Sequence, residues 1–189
     1  PGVQHSELVQ SEEREGFGRA RTKPEQLLSG GAEDHRAIGT ARSNHMNIYL
    51  SGLIGSGKTS IGKPLAEKFN VDFFDLDQTM DERLGYSFHE LVAQEGWIPF
   101  RELEYSICKD FAKQTNSIVC LGGGTVRYEW NVDVLRPTGV ILFLEVSIDE
   151  LARRVRLADR PRVNPGTTLE TDIQLMWEKW GDRYYDSAD

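Results

Sequence analysis

Cysteine is nearly absent: the 189 residues hold two, Cys108 and Cys120. Their spacing matches neither a zinc site nor a C-x-x-C redox pair, so they read as two buried thiols in a reducing cytosol. Long apolar runs are missing too. Nothing approaches the ~18 residues that a membrane span needs, and the polar first residues carry no signal-peptide core. Positive charge is in deficit: 22 Lys and Arg face 30 Asp and Glu, a net charge of −8. That balance argues against a nucleic-acid surface, which needs a basic patch. An acidic chain that binds anions must instead gather its cations locally. There is no methionine before Met46 and no internal repeat.

What is present divides at Met46. Residues 1–45 are rich in Glu, Arg, Gln, Gly and Ser, with scattered apolar residues and no period. This composition predicts disorder. Met46 is read as the natural start, and 1–45 as a tag, a linker or a miscalled extension; the alternative is a tether to another domain. Residues 46–189 form the second unit. There, strand patterns alternate with helix patterns. Strands are predicted at Asn47 to Ser51, Val71 to Phe74, Ser117 to Leu121 and Val140 to Leu144, the last fully apolar and so expected at the centre of the sheet. Helices are predicted from about Lys58 to Phe69, Thr79 to Leu84, after the capping box at Ser87, Pro99 to Lys113, Ser147 to Arg156, and from Thr168 toward Tyr185. This alternation predicts an α/β fold, a parallel sheet with helices on both faces.

The strongest motif is Gly52-Leu53-Ile54-Gly55-Ser56-Gly57-Lys58-Thr59, which fits GxxxxGK[ST] between a strand and a helix. Phosphate oxygens need several backbone N–H groups converging on one point, and side chains would block that approach. The helix N-terminus adds its positive dipole end. Lys58 supplies a cation for the β- and γ-phosphates of ATP, and the Thr59 hydroxyl can ligate Mg2+.

Asp75-Leu76-Asp77 follows the second strand, where ligands sit in an open parallel sheet. One carboxylate can help hold magnesium and the other can orient or deprotonate an attacking hydroxyl. A plain helix cap would explain Asp77 as well. Arg101 and Glu104, three apart on a helix, can pair; an ordinary surface ion pair is the simpler reading. Gly122-Gly123-Gly124 lets a small ligand lie against backbone N–H groups. Arg153, Arg154, Arg156, Arg160 and Arg162 supply the local cations, and an arginine beside Pro161 could close over ATP. A solvated basic helix face covers Arg156 and Arg162 equally well.

In this order the pieces resemble the shikimate kinase family: the phosphate loop from Gly52 to Thr59, Asp75 to Asp77, Phe100-Arg101 with Glu104, Gly122 to Gly124, and Arg160-Pro161. The resemblance covers Asn47 to Asp189. It implies a phosphate-loop NTPase fold of the nucleoside-monophosphate-kinase type, three layers deep. It implies that Gly55, Ser56, Gly57, Lys58, Thr59 and Ser60 cradle the ATP phosphates, with Thr59 and Asp75 toward the metal. Asp77 would bind shikimate hydroxyls and act as base, Arg101 would pair the substrate carboxylate, and Gly122, Gly123 and Gly124 would line the ring. Arg160 would reach the phosphates and Arg154 would lie near adenine, so that Lys58, Asp77 and Arg160 carry catalysis. The protein implied is a cytoplasmic monomer, free of nucleic acid and membrane, that phosphorylates the 3-hydroxyl of shikimate on the way to aromatic amino acids.

The chain departs from the family pattern twice. A second carboxylate-binding arginine belongs four residues before a tyrosine in the last helix; counting back from Tyr184 reaches Trp180, leaving Arg183 or Lys179 as stand-ins. The family also continues past Ala188-Asp189 with a strand and a helix, so the domain is expected to be incomplete there and less stable for it. Two other functions fit the same residues: a non-catalytic ligand-sensing domain of a regulator, or a kinase of another small hydroxylated acid.

Overall fold

The computed structural model describes residues 46–155 and 162–189. The expectations for residues 1–45, and for Arg156, Arg160 and Pro161, lie outside the described residues. The rest follows the predicted alternation: β1 (Asn47–Ser51), α1 (Lys58–Phe69), β2 (Asp72–Asp75), α2 (Leu76–Leu84), α3 (Phe88–Glu95), α4 (Trp97–Phe111), β3 (Ser117–Cys120), α5 (Glu129–Leu135), β4 (Gly139–Phe143), α6 (Ile148–Val155) and α7 (Leu169–Ser187). The described strands form one parallel sheet in the order β2-β3-β1-β4.

Successive strand residues face opposite sides, and the core divides accordingly. Leu50, Ile118 and Cys120 pack with Ala66 of α1 on one face. Tyr49, Val119, Leu121 and Ile141 point the other way, into the larger core with α2, α4, α5 and α7. Helix α1 approaches its face closely. A Cβ at Gly62 would sit 2.9 Å from the Cys120 sulfur and 3.0 Å from Leu50 Cδ1, so only glycine fits.

Two features differ from expectation. Strand β4 is apolar throughout but lies at the edge of the described sheet, with β1 inside it; Leu142 is 40% exposed. Its apolarity serves one face instead: Phe143 packs on Trp177, Tyr184 and Tyr185 of α7. The second difference is α5 with the 3-10 turn Thr125–Arg127 ahead of it. A seven-residue helix holding Val132 and Val134 at β-favouring positions and no side-chain N-cap gives little periodic signal.

Candidate active site

The phosphate loop bridges β1 and α1. Gly55 and Gly57 sit at φ 80° and 94°, where an L side chain is strained. A Cβ at Gly55 would lie 2.8 Å from Val155 Cγ1. The chain therefore turns with its N–H groups bare, and α1 begins on Gly57 with no side chain over its first amides. Ser56 Oγ is buried in this loop without a protein partner. Lys58 Nζ folds back to the carbonyls of Gly52 and Leu53, at 2.7 and 3.1 Å, which holds its charge over the loop. Ser60 is exposed one residue beyond Thr59 on α1. From α6, Arg154 donates to the Gly55 carbonyl at 3.0 Å and is steadied by Glu150 at 2.7 Å.

Asp75 ends β2 beside this loop. Its Oδ2 accepts from Thr59 Oγ1 at 2.8 Å, and its Oδ1 caps α2 through the Asp77 and Gln78 N–H groups at 3.1 and 3.3 Å. The cap is thus Asp75 and not Asp77, which leaves Asp77 in the first turn of α2 facing a pocket. The Thr59 hydroxyl with the Asp75 carboxylate is a hard-oxygen donor set suited to magnesium, which takes one or two carboxylates and completes its shell with water and phosphate. Among the described residues there is no cluster of three or more His, Cys, Asp or Glu that would hold a metal by itself. The bare loop amides, the orphaned Ser56 hydroxyl and this oxygen pair fit a magnesium–nucleotide complex.

The neighbouring pocket is lined by Ile54, Asp77, Arg101, Glu104, the triglycine turn and Arg127. Its wall touches the phosphate loop: a Cβ at Gly123 would come within 3.2 Å of Ile54 N. One end of the turn abuts the acid, since a Cβ at Gly122 would be 3.4 Å from Asp77 Oδ1; the other abuts Arg127, whose Nη2 would be 2.5 Å from a Gly124 Cβ. The turn is pinned from outside by Tyr184 of α7, whose hydroxyl donates to the Gly123 carbonyl at 2.6 Å. Burial pushes the Tyr184 phenol up to about 12, so the donor stays protonated at neutral pH.

Arg101 and Glu104 form no surface pair. Glu104 is 1% exposed and receives Arg101 Nη1 at 2.7 Å, Thr125 Oγ1 at 2.7 Å and Asn131 Nδ2 at 3.3 Å. Burial alone would lower the Arg101 pKa, but the charge of Glu104 and the Tyr128 phenol more than offset it and the net shift is upward. The guanidinium is further enclosed by Trp97, Phe100 and Tyr128, 4.7 to 5.4 Å from the ring centres. The two cysteines stay outside this chemistry: both are free and buried, and burial, with the Asp75 charge behind it, pushes Cys120 up to about 12.

The stand-ins expected for the missing arginine are not in the pocket. Arg183 and Lys179 are exposed on α7, and Trp180 carries the Arg127 guanidinium on its ring at 4.4 Å. Arg127 had no sequence signal beyond its place three residues after Gly124; the short 3-10 turn brings it back over the glycines. Asp172 was also missed. It is buried in the pocket wall, where its carboxylate takes the backbone N–H groups of Val163 and Asn164 and the Asn164 side chain, all within 2.9 Å.

A family model described as shikimate kinase matches residues 54–189. The chain is similar to the shikimate kinase of Bacteroides thetaiotaomicron, 38% identical over 131 residues, which span 69% of this chain and 74% of that protein. It is similar to the shikimate kinase of Synechococcus elongatus at 37% over 145 residues, 75% of this chain and 74% of that one. Among solved structures it resembles shikimate kinase from Acinetobacter baumannii in complex with shikimate, with a TM-score of 0.72 at 25% identity over 79% of this chain and 83% of the other.

Proposed function

The chain belongs to the shikimate kinase family, and from that premise we propose how its residues divide the work of the reaction. It is an enzyme that transfers the γ-phosphoryl group of ATP to the 3-hydroxyl of shikimate, giving ADP and shikimate 3-phosphate, a step toward aromatic amino acids. The shikimate O3–phosphorus bond forms, the bond from the γ-phosphorus to the β,γ-bridging oxygen breaks, and the hydroxyl proton leaves. Phosphoryl transfer needs in-line positioning and charge neutralisation more than covalent chemistry.

Gly55, Ser56, Gly57 and Ser60 hold the phosphates through main-chain N–H groups and hydroxyls, and Lys58 neutralises the β- and γ-oxygens. Thr59 and Asp75 would hold Mg2+, which when bound would screen the phosphate charge. Arg154, already on the Gly55 carbonyl, flanks the nucleotide on the adenine side. Arg160 neutralises the transferring group. In the acceptor pocket Asp77 takes the 3-hydroxyl proton, Arg101 pairs the carboxylate under the control of Glu104, and Gly122, Gly123 and Gly124 bring backbone against the ring. We assign the protein to the cytoplasm as a monomer, in keeping with its two free, buried thiols.

The observation that carries this assignment is the shared wall between the two sites. Gly123 lies against Ile54 of the phosphate loop, with Asp77 at the near end of the triglycine turn. An acceptor hydroxyl on Asp77 is therefore next to the γ-phosphate position. The test is ADP release from Mg-ATP with and without shikimate, in the parent and in Lys58→Ala, alongside a panel of hydroxylated acids. Shikimate-dependent release that falls by about 10²–10³ in the variant is expected. A higher kcat/KM for another acid in the panel would overturn the acceptor assignment.

A further inference from the structure

Arg127 is 7% exposed, and among the described residues it makes no ion pair. Its Nε donates to the Gly124 carbonyl at 3.3 Å, its Nη1 is buried without a partner, and its guanidinium stacks on Trp180 at 4.4 Å. Arg101 lines the same pocket. It spends Nη1 on Glu104 and leaves Nε buried without a partner. Glu104 is the carboxylate paired with Arg101, and the other buried carboxylate of the pocket, Asp172, is taken up by the Val163 and Asn164 donors. Burial, and next the charge of Arg101, lower the Arg127 pKa, which is the sign of a cation short of an anion. Unpaired buried donors and an uncompensated buried charge are both costly and persist where a ligand completes them. What completes two planar forks that each keep a buried donor unpaired is a planar anion, and a carboxylate presents two oxygens to them.

We propose that Arg127 is a substrate-binding, specificity-determining residue, the second arm of a two-arginine clamp that holds the acceptor's carboxylate with Arg101. This rests on the reading of the pocket given above and deepens it. The triglycine turn fixes the direction of the acceptor: Asp77 stands at its Gly122 end and Arg127 at its Gly124 end, so the carboxylate and the reacting hydroxyl lie at opposite ends of the ring. Trp180 serves the clamp as a platform. Its ring face supports the flat guanidinium, which a second cation at that position would repel.

The test compares shikimate with its uncharged methyl ester, using ADP release for kcat and KM and intrinsic tryptophan quenching for binding. The parent should favour the acid over the ester. In Arg127→Gln the KM for shikimate should rise by about 10- to 100-fold with kcat changed less than about threefold, and kcat/KM for the ester should hardly move, so that discrimination collapses. Arg127→Lys should restore part of it. Gly124→Ala, at an ordinary φ of −121° but with a Cβ pressing on Nη2, should reproduce the loss in a chain that keeps Arg127. Because acid and ester are measured on the same protein, a partly unfolded variant does not mimic the result. Should Arg127→Gln and Gly124→Ala keep the parent ratio while Arg101→Gln abolishes it, the clamp has one arm and the proposal is overturned. Should Arg101→Gln keep the ratio as well, the pocket does not read a carboxylate and the assignment beneath the proposal falls with it.

Discussion

Replacing Glu104 by glutamine removes one charge while keeping the outline of the side chain. Glu104 is 1% exposed and sits between Arg101, Thr125 and Asn131. It is the carboxylate that pairs with Arg101. Breaking a buried ion pair from one side costs about 3–5 kcal/mol, because the surviving charge stays buried. Glutamine keeps an oxygen for Arg101, which favours the lower end, about 3 kcal/mol. That orientation leaves the oxygen to Arg101 and Asn131 together and turns the amide toward Thr125, which can rotate its hydroxyl to accept. For a folded body of this size each kcal/mol moves the midpoint by roughly 2–4 °C, so Tm should fall by about 6–12 °C. Thermal unfolding by circular dichroism reads this directly. The double variant Glu104→Leu with Arg101→Met should regain most of the lost stability while remaining poor at binding shikimate, since an apolar pair of similar size leaves no charge stranded. An Glu104→Gln protein that melts within about 2 °C of the parent would refute the reasoning, for then the arginines find their compensation elsewhere.

Three further outcomes follow from the same geometry. Tyr184→Phe removes the bond to the Gly123 carbonyl and should cost about 1–3 kcal/mol by urea unfolding, with a severalfold higher KM for shikimate. The phenol, pushed up to about 12 by burial against about 10 when unfolded, adds stability that is complete below pH 10 and is lost as pH rises toward 12. Two units correspond to about 3 kcal/mol, so urea midpoints between pH 9 and 11.5 should fall more steeply in the parent than in Tyr184→Phe. Asp172→Asn turns an amide donor toward the Val163 and Asn164 donors that the carboxylate now satisfies; faster protease cleavage within residues 162–168 and a loss of about 2–3 kcal/mol are expected, and an unchanged cleavage rate would remove Asp172 as the anchor of that segment. Gly123→Ala puts a methyl group 3.2 Å from Ile54 N; on the proposed shared wall, kcat/KM should fall by at least about tenfold for ATP and for shikimate together, and a loss confined to one substrate would contradict the proposal.

The strand β1 and helix α1 were legible to their end residues because the glycine loop punctuates them on both sides. The phosphate loop, the Asp75–Asp77 pair, Arg101 with Glu104 and the triglycine turn are visible in the sequence because each is a short local motif, and the fold gathers them around the loop and the adjoining pocket. Depth was not legible. Arg101 and Glu104 at i, i+3 look alike on a wet helix and in a core, and only the partners Thr125 and Asn131, 21 and 27 residues away, distinguish the cases. The capping alternative for Asp77 stays open in the sequence because either Asp75 or Asp77 could supply the first turn, and the end of β2 decides it for Asp75. Arg127 was invisible for a related reason: it reaches the pocket through a 3-10 turn too short to leave a periodic signature, on a ring donated by α7. The apolarity of β4 was visible, but a strand can be apolar because one face meets a cluster of aromatic rings as well as because both faces are covered.

The triglycine turn limits how this protein can change over evolutionary time. A wall made of main chain has no side chains to vary, and each of its three glycines is hemmed in by a close neighbour, Thr125 at Gly122, Ile54 at Gly123 and Arg127 at Gly124. Selection on a new acceptor therefore cannot work by resizing that wall, and has to act on the side chains of the rest of the pocket, such as Val163, Leu169 and Met176. A descendant with a different substrate would be recognisable by exchanges among those side chains and at the charged ends of the turn, with the glycines between them unaltered.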